Sequence, residues 1–159
     1  MGIKGNCRPP VFQQQECLNK PKSVKVIAEE GNCYFRAISF CLTGTERHHE
    51  KLRNIVVQQM STDNLRELLA SYLGQNIDNN LDSSRMGDLA TWATDAEIIA
   101  TDYITSFDVE IYYRSGDSCD WARYRSSLGP RRQTETHASY LVNEDNIHYN
   151  VVTSVEEDI

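Results

Sequence analysis

The chain has no apolar run near the ~20 residues that a membrane-spanning helix needs, and its first residues lack the apolar core of a secretory signal. It also has no C-x-x-C pair. Cys7, Cys17, Cys33, Cys41 and Cys119 form an odd, scattered set, which suggests neither a disulfide framework nor a zinc knuckle. A reducing setting, cytoplasmic or nuclear, is the expectation. Basic charge is scarce: 16 Lys and Arg against 23 Asp and Glu leave a net charge of −7, and the pI is near 5.1. That weighs against a nucleic-acid binder, which carries a basic patch or stripe, and suits a basic partner. No repeat or low-complexity tract is present; no heptad or long apolar edge demands a dimer, so a monomer is expected, and without a spanning apolar run no membrane partner is expected. Met1-Gly2 opens like an acylation site, but Asn6 stands where Ser or Thr is wanted. His49-Glu50 opens like the zinc motif H-E-x-x-H, but Arg53 occupies the second ligand position.

What remains is enough for one domain with a real core: 159 residues, 40% hydrophobic and 25% charged. Residues 1–22 contain Pro9, Pro10 and Pro21 and read as an extension, with at most a short helix around Gln13–Leu18. Val24, Val26 and Ala28 alternate with Lys25 and Ile27, a short strand. Phe35, Ile38 and Leu42 then recur at helical spacing, with Gly44 as the stop and Asn32 as the N-cap. Leu52, Ile55, Val56 and Met60 mark a second helix capped by Thr45; Leu65, Leu68, Leu69 and Tyr72 mark a third. Residues 74–90 are a polar connection. Thr94-Asp95-Ala96-Glu97 is a capping box opening a fourth helix, buried through Ala96, Ile99, Ala100 and Tyr103. Strands follow: one where Val109, Ile111 and Tyr113 alternate with Asp108, Glu110 and Tyr112, then Trp121–Tyr124. The last two, Ser139–Val142 and Ile147–Val152, flank a turn at Asn143–Asn146. Helices first and strands last imply an α+β layer fold in which the early strand joins the later sheet.

That arrangement brings Cys33 near the C-terminal strands. Cys33 falls in the first turn of its helix, where unpaired N–H groups and the helix dipole favour a thiolate. A buried structural cysteine is the competing reading. A nucleophilic cysteine needs a base, a group to orient that base, and donors for an oxyanion. Of four histidines, His48 and His49 lie on the second helix beside charged residues, and His137 lies in the polar loop Pro130–Thr136 or at its edge. His148 begins a strand, and Asn150 shares its face because strand side chains alternate. Cys, His and Asn form a workable catalytic set; a core His beside an Asn is the alternative on spacing alone.

Four blocks bear on that choice. Glu30-Gly31-Asn32-Cys33-Tyr34-Phe35-Arg36-Ala37 resembles the D-G-N-C-[LF]-F-R-A signature of the ovarian tumour (OTU) family of cysteine deubiquitinases. His49-x-x-Leu52-Arg53 is similar to that family's H-x-x-[LI]-R, and Trp92 to Ile98 to its W-G-T-x-x-E-I. His148-Tyr149-Asn150-x-Val152 is similar to its terminal H-Y-[DN]-x-V. The blocks keep the family's order and fall within residues 24 to 153, most of the chain.

The resemblance implies a single OTU-like cysteine protease domain over 23–155, a small mixed β-sheet flanked by helices, followed by an acidic tail at 156–159. It implies Cys33 as nucleophile, His148 as general base and then acid, Asn150 as the group orienting His148, and N–H groups of the loop Glu30–Cys33 as the oxyanion hole. The implied partner is ubiquitin, polyubiquitin or a ubiquitin-like protein, cleaved after its terminal Gly-Gly through a thioester, without metal or cofactor. Glu30 stands where the family usually has Asp; it is expected to be secondary to Asn150 in support of the site. Ala93 for Gly is a milder departure. A ubiquitin-binding module without turnover, and a related protease acting on another protein tail, are the alternatives. The 74–90 segment and the loop Arg131–Thr136 are expected contact regions.

Overall fold

The structure is a computed structural model; it describes residues 19–73, 86–89, 92–105, 108–115, 118–124, 138–145 and 147–157. Expectations for the short helix at Gln13–Leu18, most of 74–90, the loop Pro130–Thr136, His137 and the last two residues of the acidic tail lie outside those residues.

In chain order the elements are β1 (Pro21–Lys25), α1 (Cys33–Thr43), a 3-10 turn (Glu46–His48), α2 (His49–Met60), α3 (Asp63–Leu73), α4 (Asp95–Thr105), β2 (Asp108–Ser115), β3 (Ser118–Tyr124), β4 (Ala138–Glu144) and β5 (His148–Val155). The five strands form one sheet in the order β1-β5-β4-β2-β3. β2 and β4 are parallel and every other pair is antiparallel, so the sheet is mixed. No helix among the described residues is long and apolar enough to cross a membrane.

α1 forms where the sequence places it because Phe35, Ala37, Ile38, Cys41 and Leu42 share a buried face, each large side chain contributing about 1.5–3 kcal/mol by leaving water. It ends at Gly44, which takes the left-handed conformation at φ 82° and returns its N–H to the Phe40 carbonyl at 2.8 Å. Tyr34 and Phe35 pack edge to face, and Tyr34 does the same with Tyr149 of β5. The Tyr34 hydroxyl donates to Thr101 of α4 at 3.0 Å. These contacts fix the first turn of α1 against the strand that carries His148.

Three details depart from the sequence reading. The first strand runs over Pro21–Lys25, earlier than 24–28, and the expected alternation is inverted: Val24 on the strand and Val26 just beyond it are exposed, while Ile27 is buried. β1 is an edge strand, so its outward side chains meet water whatever their type. β2 is not half-exposed. Asp108, Glu110 and Tyr112 are buried along with Val109 and Ile111, so the side chains on both faces of this interior strand are covered. Thr45 caps the 3-10 turn through Arg47 N–H, and α2 starts only at His49.

Candidate active site

β1 hands the chain to a loop, residues 26–32, that runs beside β5 and turns into α1. Within it the Cys33 N–H bonds the Glu30 carbonyl at 3.1 Å, closing a tight turn ahead of the helix. Cys33 is the first residue of α1, and its thiol faces the Ile147 carbonyl oxygen at 3.9 Å. The start of α1 and the start of β5 therefore meet, as the sequence reading requires.

His148 and Asn150 share one face of β5, and His148 Nε2 lies 2.9 Å from Asn150 Oδ1. That oxygen also accepts the Ile27 backbone N–H at 2.8 Å. An N–H can only donate, so the atom facing both groups is the amide oxygen, and Nε2 must then carry a proton. In the neutral ring this leaves the lone pair on Nδ1. Nδ1 is buried and has no hydrogen-bond partner among the described residues. A basic nitrogen with an open valence is thus held at the site, and its tautomer is set by Asn150 and Ile27.

Cys33 is fully buried in the free chain. Burial pushes its thiol up from the ordinary value of 9.0; the backbone N–H groups of Tyr149, Tyr34 and Cys33 act the other way, and the charge of Glu30 adds to the rise. The expectation that a first-turn position favours the thiolate is therefore outweighed by desolvation here.

Glu30 is turned to other work. Its carboxylate pairs with Arg36 Nε of α1 and accepts from Asn32 Nδ2 at 3.3 Å. The Arg36 hydrogen bond holds its carboxyl below the usual carboxylate value, against a smaller opposing effect of burial. No hydrogen bond joins Glu30 to His148 among the described residues. Asn32 stands at the N-cap but makes no capping bond. Its Oδ1 instead accepts from Arg53 Nη2 at 3.3 Å, and the same nitrogen donates to the Gly31 carbonyl at 3.2 Å. His48 closes the 3-10 turn and is exposed, and His49 is half-buried at the start of α2; His49 is held below its usual value, first by burial and then by Arg36. Neither joins the cluster.

Arg53 is the residue whose place the sequence reading missed. It is fully buried, although arginine is almost never so unless paired. The signal was present in the spacing: 53, 56 and 60 fall on one helical stripe, and Arg53, Val56 and Met60 are the buried residues of α2. Among the described residues no group of three or more His, Cys, Asp or Glu side chains is placed to hold a metal.

No protein-family model matches the chain. A curated relative, OVARIAN TUMOR DOMAIN-containing deubiquitinating enzyme 7 of Arabidopsis thaliana, is 32% identical over 136 residues, covering 86% of this chain. The chain spans about a third of that protein's length, 34%. Among solved structures, the OTU domain of OTUD1 superposes with a TM-score of 0.65 at 21% identity, covering 80% of this chain and 83% of that one. An OTU deubiquitinase from Wolbachia pipientis wMel, solved bound to ubiquitin, gives 0.58 at 14% identity, covering 82% and 94%. The chain carries an OTU-family domain.

Proposed function

We propose that this domain is a cysteine-dependent deubiquitinase that hydrolyses peptide or isopeptide bonds after the terminal Gly-Gly of ubiquitin. The observation that carries the reading is the His148–Asn150 pair, whose bond at 2.9 Å leaves Nδ1 without a hydrogen-bond partner among the described residues, on the strand whose start faces the Cys33 thiol. In the proposed cycle Nδ1 takes the thiol proton as Sγ attacks the carbonyl carbon of the terminal glycine. The carbonyl electrons move to oxygen, and N–H groups of the Glu30–Cys33 turn stabilise that charge. Collapse breaks the C–N bond; His148 returns its proton to the leaving amine, and ubiquitin stays on Cys33 as a thioester. Water, deprotonated by His148, then attacks the thioester, and the thiol leaves with the proton.

Asn150 is the orienting group in this reading. Glu30 is assigned to the loop, because its carboxylate is engaged by Arg36 and Asn32. The thiol is buried and lacks a bond to His148, so substrate engagement must bring the two together; geometry in free enzymes is often loose in this way.

The test is incubation with ubiquitin carrying a C-terminal thiol-reactive electrophile, using the wild type and Cys33→Ala. A covalent adduct formed by the wild type alone is the expected result. A folded, reduced wild type that forms none would overturn the reading in favour of a binding module or a protease for another tail. A panel of ubiquitin-like tails separates those two.

A further inference from the structure

Arg53 is an expensive way to fill a core. A Leu or Met would occupy similar space without desolvating a charge. What those residues cannot do is grip oxygens, and Arg53 grips three among the described residues. Nη2 donates to the Gly31 carbonyl at 3.2 Å and to Asn32 Oδ1 at 3.3 Å. Nη1 donates to the Met86 carbonyl at 3.1 Å. The guanidinium lies over the Phe35 ring, 4.6 Å from its centroid, and the buried carboxylate of Glu97 on α4 supplies a countercharge. The fork thus spans the two residues before Cys33, the first turn of α1 and the segment at Met86.

The consequence lies in the peptide between Gly31 and Asn32. A planar trans peptide sets its N–H opposite its C=O. Anchoring the Gly31 carbonyl on Arg53 therefore also fixes the direction of the Asn32 N–H. The second bond acts on the same residue: it draws Asn32 Oδ1 away from the first turn of α1, where a capping asparagine would otherwise claim an N–H group. Asn32 accordingly holds φ −93° and ψ 0° with no capping bond, in the sparsely populated bridge region that many active-site residues adopt.

We propose that Arg53 is a positioning residue for acyl transfer: by holding the Gly31 carbonyl and the Asn32 amide, it sets the backbone N–H groups that meet the oxyanion. This rests on the deubiquitinase reading above and deepens it.

The test separates thiol chemistry from oxyanion stabilisation. Alkylation of Cys33 by iodoacetamide passes through no oxyanion, whereas cleavage of a fluorogenic amide at the ubiquitin C-terminus does. Two variants are made. Arg53→Lys keeps the charge but loses the planar fork. The pair Arg53→Met with Glu97→Gln removes both buried charges together, so that folding does not depend on an unpaired one. In the paired variant kcat is expected to fall about 10²-fold, the loss typical of a misplaced oxyanion donor, with KM within about threefold. Alkylation should stay within about twofold of wild type, because the thiol is untouched. Arg53→Lys should fall between the two, since an ammonium can reach one acceptor but not span both. Equal losses of alkylation and kcat would show general damage to the site and overturn the assignment, as would an unchanged kcat in the paired variant. A wild type that alkylates normally but never cleaves the amide would overturn the deubiquitinase reading itself.

Discussion

Asn150 and Glu30 are both polar residues close to Cys33 or His148, and their bonds separate their roles. Asn150 Oδ1 holds His148 Nε2 and the Ile27 N–H, so Asn150→Ala removes what selects the tautomer with a free Nδ1. Its turnover of a ubiquitin amide should fall about 10²–10⁴-fold, the range seen when a catalytic histidine loses its orienting partner. Glu30→Gln breaks a partly exposed pair with Arg36, and such pairs contribute little, so turnover should stay within about threefold. A larger loss from Glu30→Gln than from Asn150→Ala would reverse this ranking. The thiol gives a second prediction. Burial raises Cys33 above its ordinary value of 9.0, so in the folded chain the thiolate appears only as pH climbs past that value. Alkylation of the free enzyme should therefore keep rising through and beyond pH 9.0, and a group buried as the neutral thiol stabilises the fold less as pH rises through its folded pKa. An alkylation plateau already reached near pH 7, about where a thiolate–imidazolium pair would place it, would refute the buried-thiol description.

Elements differ in how openly the sequence announces them. α1 is legible at both ends, since a run of apolar residues at helical spacing stops at Gly44, and the structure places the left-handed stop there at φ 82°. A Cβ added at Gly44 would meet nothing within 4 Å, so Gly44→Ala isolates the backbone penalty of the left-handed conformation. It should cost about 1–2 kcal/mol in chemical denaturation. Turnover should be unchanged, because Cys33 lies at the other end of an 11-residue helix. No loss of stability, or a loss of activity, would contradict this. The strands were read less well. The alternation of Val24 and Val26 is real, but it faces solvent at an edge, and no local pattern says which strand becomes the edge. Asp108 and Glu110 alternate with apolar residues in the sequence, yet both are buried in a strand interior to the sheet, whose parallel pairing sets Glu110 opposite Tyr140, thirty residues on. Asn32 was legible as an N-cap position, whereas the diversion of its side chain to Arg53 depends on a helix packed from elsewhere. The meeting of Cys33 with His148 and Asn150 became legible through family motifs; spacing alone left a buried cysteine and a core histidine as equal readings.

At the scale of the whole molecule, the candidate site sits on a seam between distant parts of the chain. β1 and β5 are the first and last strands in sequence but neighbours in the sheet, paired from Pro21↔Val155 to Lys25↔Val151. Beyond the ladder, Glu156 N–H bonds the Lys20 carbonyl at 2.8 Å and Asn19 Nδ2 donates to the Glu156 carbonyl at 2.8 Å. This seam carries the loop that offers Ile27 N–H to Asn150, so the tautomer of His148 depends on how firmly β1 is seated. Ending the chain after Val152 keeps His148 and Asn150 and the pairs of Val24 and Lys25, but deletes the partners of Pro21 and Ser23 together with Glu156. Such a chain should lose protection of the Ile27 amide in hydrogen exchange and lose turnover with it. A chain ending after Glu157 keeps every bond of the seam and should match the full chain on both measures. Local opening of an edge strand requires less free energy than global unfolding, so the effect on Ile27 should exceed that on amides of central β4. If the Ile27 amide in the shorter chain exchanged as slowly as in the full one, the seam would not be what holds the orienting pair in place.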